Sequence, residues 1–228
     1  MKIGILTAMA KEHDQIVALL ADVHHVDGQF PYVEGRINTT DIVLQQCGIG
    51  KVNAAIGASE MIRQHTPDCI ISTGVAGGID PCLHVMDVVA SSHCVHHDFN
   101  LNLGYERGEI QGLTRFFPSD QRLVDTVRSL AEPTIHVGLI CTGDQFITSH
   151  DELATIKQYF PEGLAVDMES AAIAQTCYIY HVPFISFRII SDTPGADNHQ
   201  QQYENFWGEM AQRSFGITRR LLLQLSTL

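Results

Sequence analysis

Apolar runs of strand length alternate with amphipathic stretches along almost the whole chain. Residues 2–7 and 68–73 are short, nearly continuous apolar segments, the pattern of strands buried on both faces; 87–94, 136–142 and 184–190 repeat it. Helical periodicity predicts helices over about 9–21, 52–65, 119–130, 149–159, 169–180 and 203–223; in the second, Ala55, Ala58 and Ile62 form an apolar stripe. Residues 32–37 and 41–47 flank the compact turn Asn38-Thr-Thr-Asp41 and predict a hairpin. No linker, repeat or charge block interrupts the chain, which therefore reads as one domain over 1–228. The expected class is α/β: three layers, α/β/α, around a mixed, largely parallel central sheet. Ligands of such sheets bind beyond the carboxyl ends of the strands.

The residues expected at those ends are unusually acidic. Glu12 follows the first strand, Gly74–Gly78 the strand ending at Thr73, Thr142-Gly-Asp144 with Phe146 and Ile147 a later one, and Ser191-Asp192 the last. Asp167-Met168-Glu169 stands at the start of a late helix. Each acid has an ordinary alternative role: Glu12 complements a helix dipole from the first turn, and Asp167 suits an N-cap. Arg188 lies inside the apolar run 184–190, where an uncompensated charge costs about 3–5 kcal/mol, so it needs a carboxylate; Glu169 is the nearest candidate by architecture. Two acids on different sides of one pocket permit a division of labour, one protonating a leaving group and the other activating water.

Composition narrows the partners. With 14 Lys+Arg against 26 Asp+Glu, the formal charge is −12, which disfavours nucleic acid and anionic membrane surfaces. Only 18% of residues are charged against about 25% in average globular chains, so an apolar interface between subunits is expected. The six cysteines show neither CxxC spacing nor a disulfide framework, and no apolar run approaches the ~20 residues of a membrane span; a cytoplasmic location follows as an expectation. Gly48-Ile-Gly50-Lys51 completes neither a P-loop nor a dinucleotide fingerprint. In the cluster His93, His96 and His97, His93 and His96 fall on opposite faces of an extended segment and no second ligand group is identifiable, so no metal site is expected there, and no cofactor is implied.

The ordered fragments Lys2-Ile-Gly-Ile5 with Met9 and Glu12, Gly48-Ile-Gly-Lys-Val52, Thr73-Gly74 with Ala76-Gly-Gly78, Thr142-Gly-Asp-Gln-Phe-Ile147, Val166-Asp-Met-Glu169 and Arg188-Ile-Ile-Ser-Asp192 span the chain. Together they resemble the 5′-methylthioadenosine/S-adenosylhomocysteine nucleosidases, which have a nucleoside phosphorylase-like fold. The resemblance implies that Asp192 protonates N7 of adenine, that Glu12 deprotonates the attacking water, and that Arg188 helps hold the site. It implies further that Glu169 binds the ribose hydroxyls, Met168 packs on the sugar, Phe146 stacks on adenine and the Ile147 backbone reads its edge. Met9, Ile49 and Tyr203 would line the pocket for the 5′-thio group, with Val75 and Ser191 in the same constellation. Val75 stands where the family often has serine. Residues 101–105, ending at Tyr105, correspond to a stretch that closes the 5′ pocket of a neighbouring subunit, which implies a homodimer.

The resemblance thus implies hydrolysis of the N-glycosidic bond of 5′-methylthioadenosine and S-adenosylhomocysteine, with no metal or cofactor. Three alternatives stay open at this level: a phosphate-dependent purine nucleoside phosphorylase, an aminofutalosine-type nucleosidase, and a non-catalytic nucleoside-binding protein.

Overall fold

The computed structural model describes residues 1–225 apart from 133, 195, 197–198 and 208–210. The elements in order are β1 (Lys2–Thr7), α1 (Ala10–Val17), β2 (Ala21–Val26), β3 (Tyr32–Ile37), β4 (Thr40–Gln46), α2 (Lys51–His65), β5 (Cys69–Gly78), β6 (Val88–His96) and β7 (Phe117–Pro118). They continue with α3 (Gln121–Ser129), β8 (Ile135–Thr142), α4 (His150–Tyr159), β9 (Gly163–Asp167), α5 (Ser170–Tyr180), β10 (Phe184–Asp192), α6 (His199–Asn205) and α7 (Ala211–Leu225).

The strands join in one sheet of order β10-β6-β8-β9-β5-β1-β4-β3-β2. β10 also pairs with β5, so the five strands β5, β10, β6, β8 and β9 close into a ring. Pairs β1–β4, β1–β5, β10–β5, β6–β8 and β8–β9 are parallel; the hairpin β3–β4 and pairs β2–β3, β10–β6, β5–β9 and β6–β7 are antiparallel.

Side-chain alternation along the strands builds two cores. Ile3 and Ile5 of β1 join Ile71, Ile185, Phe187 and Ile189 under α1, α3 and α7. Leu6, from the opposite face, joins Ile70, Phe184 and Ile190 under the small residues Ala54 and Ala58 of α2 and Ala171 and Ala174 of α5. Helices therefore cover both faces of a mixed α/β sheet, as the pattern predicted.

Several boundaries differ from those read in the sequence. β2 escaped detection because five of its six residues are exposed and carry no alternation; pairing with β3 alone defines it. β5 runs on through the glycines expected to form a loop, because Gly77 and Gly78 pair with Val166 and Ala165 of β9, itself an unanticipated strand. Helix α1 ends at Val17, four residues early. Of the single helix expected over 203–223, the described residues carry α6, which begins four residues earlier, and α7; residues 208–210 of that span lie outside the described residues.

Candidate active site

The carboxyl ends of β1, β5, β9 and β10 surround a cleft of about 120 Å³. Glu12 sits in the first turn of α1, where the helix leaves unpaired N–H groups for its side chain to satisfy. Its Oε2 accepts from the N–H groups of Ala8 (3.0 Å) and Met9 (2.9 Å), and Oε1 accepts from that of Val75 on β5 (3.0 Å). Burial raises its pKa above the ordinary value, against the pull of Arg188 and those three donors.

Arg188 lies behind the cleft on β10 and is 1% exposed. Its Nε donates to Asp167 Oδ2 at 2.8 Å and Ser170 Oγ at 3.2 Å, and Nη2 donates to Ser72 Oγ at 2.9 Å. Glu169, the partner expected from the sequence, is more distant, with Oε2 3.8 Å from Nη2. The correction has a topological cause: β9 delivers Asp167 directly beneath the guanidinium, while Glu169 lies two residues beyond the strand end. Asp167 also fulfils the helix-start role, since Oδ2 accepts from the Ser170 N–H at 3.1 Å, and Oδ1 accepts from Thr142 Oγ1 at 2.5 Å. Ser72 and Ser170 were not singled out in the sequence, and Thr142 was named only as the start of the motif Thr142-Gly-Asp144. Their only signal was adjacency to the motifs at the strand ends.

Gly74 on β5 makes this arrangement possible. A Cβ there would stand 2.6 Å from Arg188 Nη1 and 2.8 Å from the Glu12 carboxyl carbon. The Glu12 carboxyl and the Arg188 guanidinium thus occupy space that only a residue without a Cβ leaves open.

Glu169 is held from two sides, by Arg188 and by the N–H of Gly50, which reaches Oε1 at 3.0 Å. Gly50 is in the left-handed region (φ 94°), a conformation glycine adopts without penalty. Burial, followed by repulsion from Asp167 and Glu12, outweighs those two favourable contacts and pushes the Glu169 carboxyl up to about 7. Asp192 ends β10, is 2% exposed and faces the same cleft, with Oδ1 accepting from Ser191 Oγ at 2.5 Å.

The remaining walls are apolar. Met9, Ile49, Val75, Met168, Phe146 and Tyr203 line the cleft together with Ser191. The Phe146 and Tyr203 rings meet edge to face at 5.6 Å, and Tyr203 Oη lies 3.9 Å from Met9 Sδ. Ile147 lines an adjoining recess with Phe146, Met168 and Asp192. Of the residues singled out in the sequence, Arg188 stands behind the wall and Tyr105 stands away from the cleft of its own chain. No lysine or arginine is among the described lining residues, and no group of three metal-ligating side chains occurs among the described residues. His93 and His96 differ as expected, His93 exposed and His96 buried with Nε2 2.9 Å from Gln175 Oε1; His97 is buried as well.

Comparison with known proteins supplies independent information. Residues 2–223 match the family model of the phosphorylase superfamily. A 5′-methylthioadenosine/S-adenosylhomocysteine nucleosidase from Haemophilus influenzae (strain 86-028NP) is 40% identical over 231 residues, covering 99% of this chain and 100% of the relative. The nucleosidase of that name from S. pneumoniae, solved with the transition-state inhibitor MT-ImmA, superposes with a TM-score of 0.92 at 32% identity, over 99% of this chain and 100% of the other. That from Colwellia psychrerythraea 34H, solved with adenine, gives 0.91 at 34% identity, over 99% and 96% of the two chains.

Proposed function

This chain belongs to the phosphorylase superfamily, within it to the 5′-methylthioadenosine/S-adenosylhomocysteine nucleosidases, and on that premise we propose how its cleft cleaves the N-glycosidic bond of those nucleosides. The enzyme hydrolyses 5′-methylthioadenosine to adenine and 5-methylthioribose, and S-adenosylhomocysteine to adenine and S-ribosylhomocysteine.

One observation carries the reading: Glu12, in the first turn of α1, and Asp192, at the end of β10, face one cleft with Glu169. Asp192 delivers a proton to N7 of adenine, so that the base departs neutral while the C1′–N9 bond breaks. Ser191 Oγ, donating to Oδ1, holds that carboxyl in orientation. Glu12 takes a proton from water as its oxygen attacks C1′ of the oxocarbenium-like sugar. The three backbone donors that fix both Glu12 oxygens keep the base from rotating away from the water. Acid and base each contribute about 10²–10⁴ in rate, or roughly 3–5 kcal/mol of barrier.

Glu169 accepts hydrogen bonds from the ribose hydroxyls, and Met168 packs on the sugar. Phe146 stacks on adenine, whose edge the Ile147 backbone reads, while Met9, Ile49 and Tyr203 receive the 5′-thio substituent beside Val75. Arg188, buried behind the cleft wall, positions carboxylates instead of binding an anion: its Nε donates to Asp167 and Ser170 and its Nη2 to Ser72. Water is therefore the nucleophile, and the chemistry needs no cofactor.

A second copy of the chain completes the 5′ end of the cleft through its residues 101–105. Ile49, Val52 and Ile56 are 53%, 70% and 45% exposed on and beside α2, and Leu103 is 77% exposed, as a homodimer interface would leave them in one protomer. All six cysteines are unpaired, which suits the reducing cytoplasm, and no described helix is long and apolar enough to cross a membrane.

The deciding experiment incubates purified protein with 5′-methylthioadenosine in phosphate-free buffer and measures adenine. Release at a rate unchanged by added phosphate is expected; release only with phosphate would replace hydrolysis by phosphorolysis.

A further inference from the structure

Three side chains given no role above, those of Lys51, Asp98 and Asp144, tie three chain segments together beside Glu169. Lys51, the first residue of α2, donates from Nζ to both oxygens of Asp98 at 2.6 and 2.8 Å. Its backbone N–H donates to Asp144 Oδ1 at 2.7 Å, and the Asp144 N–H donates in turn to Asp98 Oδ2 at 2.9 Å. The ring of contacts therefore joins the turn before α2, the chain just beyond β6 and the loop after β8. Asp144 supplies the acceptor that α2 lacks, since Gly50 at its N-cap has no side chain to offer.

The turn held in this way is the one whose Gly50 N–H reaches Glu169 Oε1. Gly50 leaves little slack of its own, because a Cβ on it would meet Asp144 Oδ1 at 3.1 Å. Lys51 and Asp98 are only 22% and 30% exposed at the side chain, so their pair is better shielded than an ordinary surface bridge. Burial alone would raise the Asp98 pKa, but the Lys51 and Asp144 donors outweigh it and hold the carboxyl below its usual range.

We propose that Lys51, Asp98 and Asp144 form a clamp of positioning residues that fixes the Gly50 N–H against Glu169, and so sets how strongly the enzyme selects a ribose over a 2′-deoxyribose. The proposal rests on Glu169 as the ribose-binding group. A carboxylate aimed at the sugar hydroxyls discriminates only while its orientation is fixed, because a free one rotates or re-pairs with Arg188 without cost to the deoxy substrate. Asp98 also begins the excursion that carries residues 101–105, whose path returns at Arg107, where Nε donates to the His97 carbonyl at 2.7 Å. The clamp thus anchors the segment assigned to the neighbouring cleft to the ribose side of its own.

The test compares kcat/KM for 5′-methylthioadenosine with that for its 2′-deoxy analogue in wild type, Asp98→Asn, Lys51→Met, the double variant and Glu169→Ala, together with the Kd for adenine. Asp98→Asn is expected to lower the ribose preference by about 10-fold, the scale of one charge-assisted hydrogen bond, with adenine affinity changed less than about 2-fold. Lys51→Met and the double variant should match it, since residues acting as one unit are not additive. If Glu169→Ala loses the preference while both single clamp variants retain it, the clamp is refuted and Glu169 keeps its role. If Glu169→Ala retains it as well, the ribose reading itself falls and takes the clamp with it. Should Asp98→Asn fail to fold, Lys51→Met alone carries the comparison.

Discussion

Arg188 Nε lies 2.8 Å from Asp167 Oδ2, and this pair, buried at both ends, is the electrostatic centre of the site. Glu169 is farther from the same guanidinium, at 3.8 Å, so Asp167 is the main partner of its charge. Breaking such a pair from one side strands the other charge. Asp167→Asn is therefore expected to lower stability by about 3–5 kcal/mol in urea unfolding. A loss below about 1 kcal/mol would show that Glu169 takes over the charge.

Asp192 and Glu12 separate in their kinetic signatures. Asp192→Asn should reduce turnover at least about 10²-fold with the circular dichroism spectrum unchanged, because the base must then leave unprotonated. Glu12→Gln should abolish hydrolysis of 5′-methylthioadenosine yet still bind adenine, since the amide preserves shape while losing proton affinity. Near-normal turnover in either variant would remove that residue from the mechanism.

The Glu169 carboxyl, pushed up to about 7 from an ordinary 4.5, makes stability depend on pH in an unusual direction. A raised folded-state pKa stabilises the fold fully below the unfolded value, and that contribution is lost as pH rises through about 7. Glu12 is shifted the same way and adds to the trend. The unfolding free energy of the unliganded enzyme should therefore fall between pH 5 and pH 8. Part of that fall, roughly 1–3 kcal/mol, should vanish in Glu169→Gln. An equal fall in both proteins would show that Glu169 titrates normally.

The chain has one tryptophan, Trp207, and it stands beside the cleft-lining Tyr203. Its ring stands 6.4 Å from that of Tyr203, which touches Phe146, and Lys11 Nζ lies 5.3 Å above it. Adenine binding is expected to change Trp207 emission, with the change reduced in Tyr203→Leu. An emission spectrum insensitive to saturating adenine would disconnect this aromatic row from the ligand.

Much of the site was legible in the sequence because strand ends converge by topology. Glu12, Asp192 and Glu169 could be placed on one side of the sheet from the alternation of strands and helices alone. The partner of Arg188 could not, since choosing between Asp167 and Glu169 depends on where β9 stops, and β9 is five residues with no alternation to announce it. The edge strand β2 failed for the opposite reason: its side chains face solvent, so only backbone pairing reveals it. Asp98 and Asp144 lie in separate loops that no periodicity relates to Lys51, and their meeting is a property of the closed ring of strands.

Gly74 gives the enzyme a point of failure that carries no chemistry of its own. An alanine there adds one methyl group, alters no charge and titrates nothing, yet it acts as a wedge between the groups on either side of β5. Inactivation by so small and inert a change would escape any survey that ranks positions by acidity, polarity or nucleophilicity. The most sensitive site in such a cleft can be an atom that is absent.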